Sequence, residues 1–117
     1  MRFKKKIHGN SLIRKETEMK IYCAHAYGGK EENKQDAEKK ILQLQIAHPE
    51  NTYFSPIHAF GFSYYYMSYD DGMDMCFDLL ECCDEVYVLS PISEGVKREI
   101  AMAERLHIPV KVMYDCF

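Results

Sequence analysis

With 117 residues, the chain has room for one domain and little more. Hydrophobic residues make up 47%, enough for a real core, and the charged share of 28% is ordinary for a globular protein. Six of the fifteen basic residues but two of the eighteen acidic ones fall in residues 1–18, so the overall charge of −3 leaves a body of −7. Such an acidic body argues against polymeric nucleic acid as a partner, because phosphates need basic surface to neutralise them.

No apolar run approaches roughly 18 residues, so neither a transmembrane helix nor a membrane partner is expected. The N-terminus also lacks the apolar stretch of a signal peptide. The five cysteines, Cys23, Cys76, Cys82, Cys83 and Cys116, form no CxxC pair and no Cys/His ligand spacing. They read as buried thiols in a reducing, cytoplasmic setting, with no metal site.

Residues 1–18 show neither helical nor strand periodicity and read as a poorly ordered extension. Either they form a basic arm, or translation starts at Met19, since the codons for Arg14–Glu18 can spell a purine-rich ribosome-binding sequence. From Met19 onward, strand and helix patterns alternate. Lys20–Ala24 predicts a buried strand, followed by the loop His25–Gly29. A helix is expected from about Lys30 to His48, with Ala37, Ile41, Leu44 and Ala47 at helical spacing and Pro49 as its stop. Thr52–Ser55 reads as a short strand, and Ile57–Tyr69 as an aromatic loop without regular periodicity. A second helix is expected from about Asp71 to Cys83, then a strand over Glu85–Leu89. A third helix runs from about Val96 to Leu106 with Val96, Ile100, Ala103 and Leu106 on one face, and Pro109–Tyr114 closes as a strand. This order predicts a single α/β domain: a parallel sheet of four or five strands with helices on both faces, Rossmann-like or flavodoxin-like. Ile21 and Val88 are then expected on adjacent or near strands. Ligands in such sheets bind beyond the carboxyl ends of the strands, which selects the loops His25–Gly29, Ile57–Tyr69 and Ser90–Gly95.

Chemistry-bearing residues cluster in those loops. Ser93 is a natural N-cap, Gly95 allows close approach of a ligand, and free backbone N–H groups there suit an anion. Glu99 sits about a turn into that helix, whose terminus favours the ionised form that a carboxylate nucleophile needs; the plain alternative is a solvated helix start with Glu94 and Glu99 outside. Asp71, Asp74, Asp78 and Glu81 recur at spacings of three and four, so they form one acidic stripe. That stripe is either a solvent face or a source of a cleft carboxyl that exchanges a proton with a leaving base. Gly28-Gly29-Lys30 ahead of a helix can hold a phosphate, although the spacing is not that of a P-loop, and a tight turn explains it equally. His25 and His58 are polar loop histidines that could contact a ligand. Phe60, with Phe54, Phe62, Tyr64, Tyr65, Tyr66 and Tyr69, could stack on a nucleobase or serve as core and subunit contact.

Together the segments resemble the nucleoside 2-deoxyribosyltransferase-like family over nearly all of Met19–Asp115. The resemblance lies in Asp78-Leu-Leu-Glu-Cys-Cys-Asp84, the strand Glu85–Leu89, Ser93-x-Gly95-Val96-x-x-Glu99, Ala103, Ile108-Pro109-Val110 and the opening Ile21-Tyr22-x-Ala24. It implies that residues 19–117 form one such domain. It also implies that Glu99 attacks the sugar's anomeric carbon, Asp78 helps the base leave and Tyr22 orients the glutamate. The chemistry parallels a retaining glycosidase, through a covalent sugar–enzyme ester and with no cofactor or metal. Ser93, Gly95 and Gly28-Gly29-Lys30 resemble the phosphate-holding parts of the family's nucleotide monophosphate N-glycosidases. A nucleobase contact is assigned to Phe60, and further nucleotide contacts to His25 and His58.

Two departures stand out. His25-Ala26-Tyr27 replaces the Gly-Pro-Phe usual in the transferases, and the chain is shorter, as in compact phage-associated members of the family. The leading expectation is deoxyribosyl transfer or hydrolysis on a small-molecule deoxynucleoside or its 5′-monophosphate, in a homodimer or larger homo-oligomer. A non-catalytic nucleotide-binding module of phage origin is the alternative, and an interaction protein with an acidic face is a third.

Overall fold

The computed structural model describes residues 18–117, so the expectations about an N-terminal extension and a start at Met19 fall, apart from Glu18, outside the described residues. Four strands form one sheet: β1 (Lys20–Ala24), β2 (Thr52–Phe54), β3 (Glu85–Val88) and β4 (Val110–Val112). Four α-helices accompany them: α1 (Glu31–Ala47), α2 (Pro56–Phe60), α3 (Tyr69–Leu80) and α4 (Glu94–Arg105). The sheet is parallel throughout, in the order β2-β1-β3-β4. It is an α/β domain of the Rossmann-like kind, as its alternating pattern predicts. Ile21 pairs with Glu85 and Ala24 with Val88, which puts Ile21 and Val88 on adjacent strands.

A parallel sheet buries both faces, and the strand alternation shows it. Ile21 and Cys23 of β1 pack with Ala37, Ile41 and Leu44 of α1 on one face. Tyr22 and Ala24 pack on the other, among Leu80, Val96 and Ala103 at the inner sides of α3 and α4. Ile21, Val86, Val88 and Leu80 are fully buried, each contributing on the order of 2 kcal/mol relative to exposure. The start of β1 is held by side chains on both flanks. Asn51 Oδ1 accepts from the Met19 amide at 3.0 Å, and Asp84 Oδ2 accepts from the Lys20 amide at 2.8 Å.

Several element bounds differ from expectation. Residues Ile57–Tyr69 are not an irregular loop. Ser55 caps α2, Pro56 stands at its first position, and a 3₁₀ helix follows over Gly61–Tyr66. Here a local cap and a proline set the structure where no apolar period exists. α3 begins at Tyr69 because Ser68 caps it, accepting from the Asp71 amide at 3.0 Å. α4 begins at Glu94, with Ser93 accepting from the Val96 amide at 3.3 Å. Ala47, expected on the buried stripe of α1, is exposed. The five cysteines are free thiols, but only Cys23 and Cys83 are buried. Cys76 is intermediate, while Cys82 and Cys116 are exposed, in the turn after α3 and in the final 3₁₀ helix (Tyr114–Cys116). Among the described residues no helix is long and apolar enough to cross a membrane.

The topology fixes where a ligand can enter. After β1 the chain crosses to β2 on one side, and after β3 it crosses to β4 on the other. The crevice beyond the carboxyl ends of β1 and β3 is therefore the switch point of the sheet. Ser90, just past β3, bridges it, since its Oγ accepts from the Ala26 amide at 2.8 Å.

Candidate functional site

A cavity of about 400 Å³ opens at this switch point, within the range that takes small-molecule ligands. Its walls come from the loop after β1, from α2 and the 3₁₀ helix, from one side of α3 and from the first turns of α4. Glu99 lies in the lining and is only 4% exposed. Tyr22, wholly buried on β1, sits beneath it and donates its hydroxyl to Glu99 Oε2. With Oε2 so engaged, Oε1 is the oxygen left for a ligand.

Burial pushes the Glu99 carboxyl up to about 7, and the Tyr22 hydrogen bond pulls it back only in part. This corrects the expectation that the helix terminus would hold Glu99 ionised. Glu99 lies six residues past the Ser93 cap, beyond the first turn to which the dipole effect is confined, so desolvation dominates. Burial, and then the Glu99 charge, raise the Tyr22 phenol well above its ordinary value. Cys76 on α3 completes the floor, its thiol pushed up to about 12 first by burial and then by Glu99. Such a thiol is inert as a nucleophile near neutrality.

The structure brings together much of the expected set. His25, Gly28, Lys30, Phe60, Ser93 and Gly95 join Glu99 in the lining. Asp78 does not: it is exposed and absent from the cavity wall. The cause is helical phase. Met73, Cys76 and Leu80 turn the inner side of α3 toward the cavity and core, which leaves Asp71, Asp74, Asp78 and Glu81 on the solvent side. His58 is likewise outside, on the exposed surface, held by Ser55 Oγ at 2.7 Å and Glu38 Oε2 at 2.8 Å. Gly29 is outside the lining too. Gly28 and Gly29 adopt φ of +60° and +73°, and the Lys30 amide donates back to the Tyr27 carbonyl, so the pair forms a tight turn. A Cβ at Gly29 would also run into the Tyr65 hydroxyl. At Gly95 a Cβ would lie 3.1 Å from the Tyr69 hydroxyl, so this glycine lets α3 approach α4 closely.

His25 has its ring engaged within the protein. Nδ1 lies 2.7 Å from the Ala26 carbonyl and Nε2 2.9 Å from Asp36. Asp36 is held below the usual carboxylate range, first by Lys40 at 2.9 Å. Lys40 in turn donates to the Leu89 carbonyl at 2.6 Å. His25 thus anchors the loop after β1 to α1 and the end of β3. Tyr27 and Glu94, within two of the loops expected to meet a ligand, line the cavity, and so do Met73 and Cys76, which were not expected there. The readable signal was Met73, Cys76 and Leu80 at spacings of three and four, the apolar side of the helix that carries the acidic stripe. Among the described residues, no three His, Cys, Asp or Glu side chains converge so as to hold a metal ion.

The fold and the site together define an α/β domain with a buried Tyr–Glu pair under a cavity at the switch point. A family model described as a domain of unknown function, DUF7768, matches residues 66–113, a stretch that holds α3, β3, α4 and β4, and with them Cys76 and Glu99. No curated protein matches the chain.

Proposed function

We propose that the protein cleaves the N-glycosidic bond of a deoxynucleoside or its 5′-monophosphate, with Glu99 as the nucleophile, and passes the sugar to water or to another base. The observation that carries this reading is the buried Glu99 carboxyl, oriented by Tyr22, in the lining of a cavity large enough for a sugar and a base. Ionised Glu99 attacks the anomeric carbon while the bond to the base breaks with its electron pair on the base. Water or a second base then displaces Glu99 from the resulting ester. Aromatic rings of Tyr27, Phe60, Tyr64 and Tyr69 in the lining offer faces for a base. Lys30 offers a cation to a 5′-phosphate. Phe62, Tyr65 and Tyr66, exposed in the neighbouring 3₁₀ helix, are suited to contact with a second copy of the chain.

The outward position of Asp78 favours a second reading, a nucleotide-binding module without turnover, because it removes the expected proton donor for the leaving base. One experiment separates the two. The protein is incubated with each common deoxynucleoside and its 5′-monophosphate, and free base is followed by chromatography. Release from at least one of them, lost in Glu99→Gln, is the expected result. Tight binding with no release from any would replace the enzyme by the binding module.

A further inference from the structure

We infer that the substrate of this cavity carries a fixed positive charge on its base, as an N-alkylated purine or a pyridinium nucleoside does; this rests on Glu99 acting as the nucleophile. Three features of the lining converge on it. First, a neutral base must gain a proton as it leaves, and general acids that supply one contribute roughly 10²–10⁴-fold. Asp78 faces solvent, and Glu99 cannot attack as a carboxylate and donate a proton in the same step. The other lining carboxylate, Glu94, is exposed to solvent at the first position of α4. A base that is already cationic needs no acid, because the electrons of the breaking C1′–N bond neutralise it and it departs uncharged. Water then attacks C1′, the ester bond to Glu99 breaks, and the surplus proton passes to solvent.

Second, the rings of Tyr27, Phe60, Tyr64 and Tyr69, with the sulfurs of Met67 and Met73, make an aromatic and polarisable enclosure. Cations are held over such faces, and aromatic cages are the usual device for alkylated ammonium groups. Third, the charge balance suits a cation. Among the described residues the lining holds the carboxylates of Glu94 and Glu99 against a single ammonium, Lys30, while His25 is bound to Asp36. A cation in the cavity would also favour the ionised form of Glu99, so that the substrate itself prepares its nucleophile.

The test compares 7-methyl-2′-deoxyguanosine with 2′-deoxyguanosine, a pair that differs by one methyl group and one charge. Binding to the wild-type protein is measured by calorimetry at pH 6 in the cold, where the methylated base keeps its N1 proton and with it the positive charge, and base release is measured at the same pH above the rate without enzyme. The methylated nucleoside is expected to bind roughly 2- to 30-fold more tightly, the range of a cation over aromatic rings, and to release base roughly 10²–10⁴-fold faster than the unmethylated one, the share that a general acid would have to supply to the neutral base. Phe60→Leu, which keeps apolar bulk but removes a ring, is expected to narrow the binding ratio. Equal or tighter binding of 2′-deoxyguanosine, or an unchanged ratio in Phe60→Leu, overturns the inference. Release of guanine from 2′-deoxyguanosine at a comparable rate also overturns it, yet leaves Glu99 as nucleophile. Tight, charge-dependent binding without any release keeps the ligand class and removes the catalytic reading of Glu99.

Discussion

Glu99→Gln is expected to abolish base release and, at pH 8, to raise the melting temperature by on the order of 10 °C. The first effect is the loss of the nucleophile, and the second comes from its burial. A carboxyl in water titrates near 4.5, whereas burial raises Glu99 in the folded protein to about 7. The native state therefore holds this proton more tightly than the unfolded chain between those two values. The stability that Glu99 contributes is complete below about pH 4.5 and is lost as pH rises through 7. Over that window the loss is on the order of 3 kcal/mol. Glutamine keeps the shape, can still accept from Tyr22 and carries no charge to desolvate. At pH 8 the variant should be more stable than wild type by roughly 2 kcal/mol, or about 10 °C for a domain near 100 residues. At pH 4.5 the two should melt together. Thermal melts of both proteins at the two pH values check this, and a destabilised Glu99→Gln at pH 8 would show that the carboxylate is not desolvated as described.

The second large effect is expected in Tyr22→Phe. The Tyr22 hydroxyl donates to Glu99 Oε2 and is the group that lowers the Glu99 carboxyl against the effect of burial. Without it, the ionised carboxylate keeps one buried oxygen unpartnered, at a cost of about 1–3 kcal/mol. Because that cost falls on the charged form alone, the titration of Glu99 moves upward by about 1–2 pH units. Base release at pH 7 should fall roughly 5- to 50-fold, because wild-type Glu99 is already only about half ionised there, and recover toward pH 9. The midpoint of the pH–rate profile is the decisive readout, since a merely loosened fold would lower the rate at every pH without moving the midpoint. Cys76, beside the same pair, should stay unreactive to thiol reagents at pH 7, in keeping with its raised thiol.

The parts of this site that were legible in the sequence are those set by position along an element. β1 and β3 announce themselves as short apolar runs, and a parallel sheet carries the helix after β3 to the same edge as β1. Tyr22 and Glu99 could therefore be placed together from pattern and resemblance. Asp78 could not be placed, because an acidic stripe at helical spacing shows that four carboxylates share a side of α3 without saying which side. The answer lay with Met73, Cys76 and Leu80, which claim the inner side by burying apolar surface. The aromatic segment after β2 hid its structure for another reason. α2 is five residues long and rests on Ser55 and Pro56 rather than on any periodicity. The protonation of Glu99 was hidden as well, since burial acts through the surroundings in space, and a helix-start motif reports only the local dipole.

Direct capture of the bond between Glu99 and the sugar tests Glu99 as the nucleophile. Wild-type protein is mixed with a nucleoside whose 2′ position carries fluorine, which slows breakdown of the ester. The digested protein is then read by mass spectrometry. A single sugar adduct on the peptide that contains Glu99, absent from Glu99→Gln, is the result expected. Base release with no adduct, or an adduct on a different residue that persists in Glu99→Gln, would contradict it.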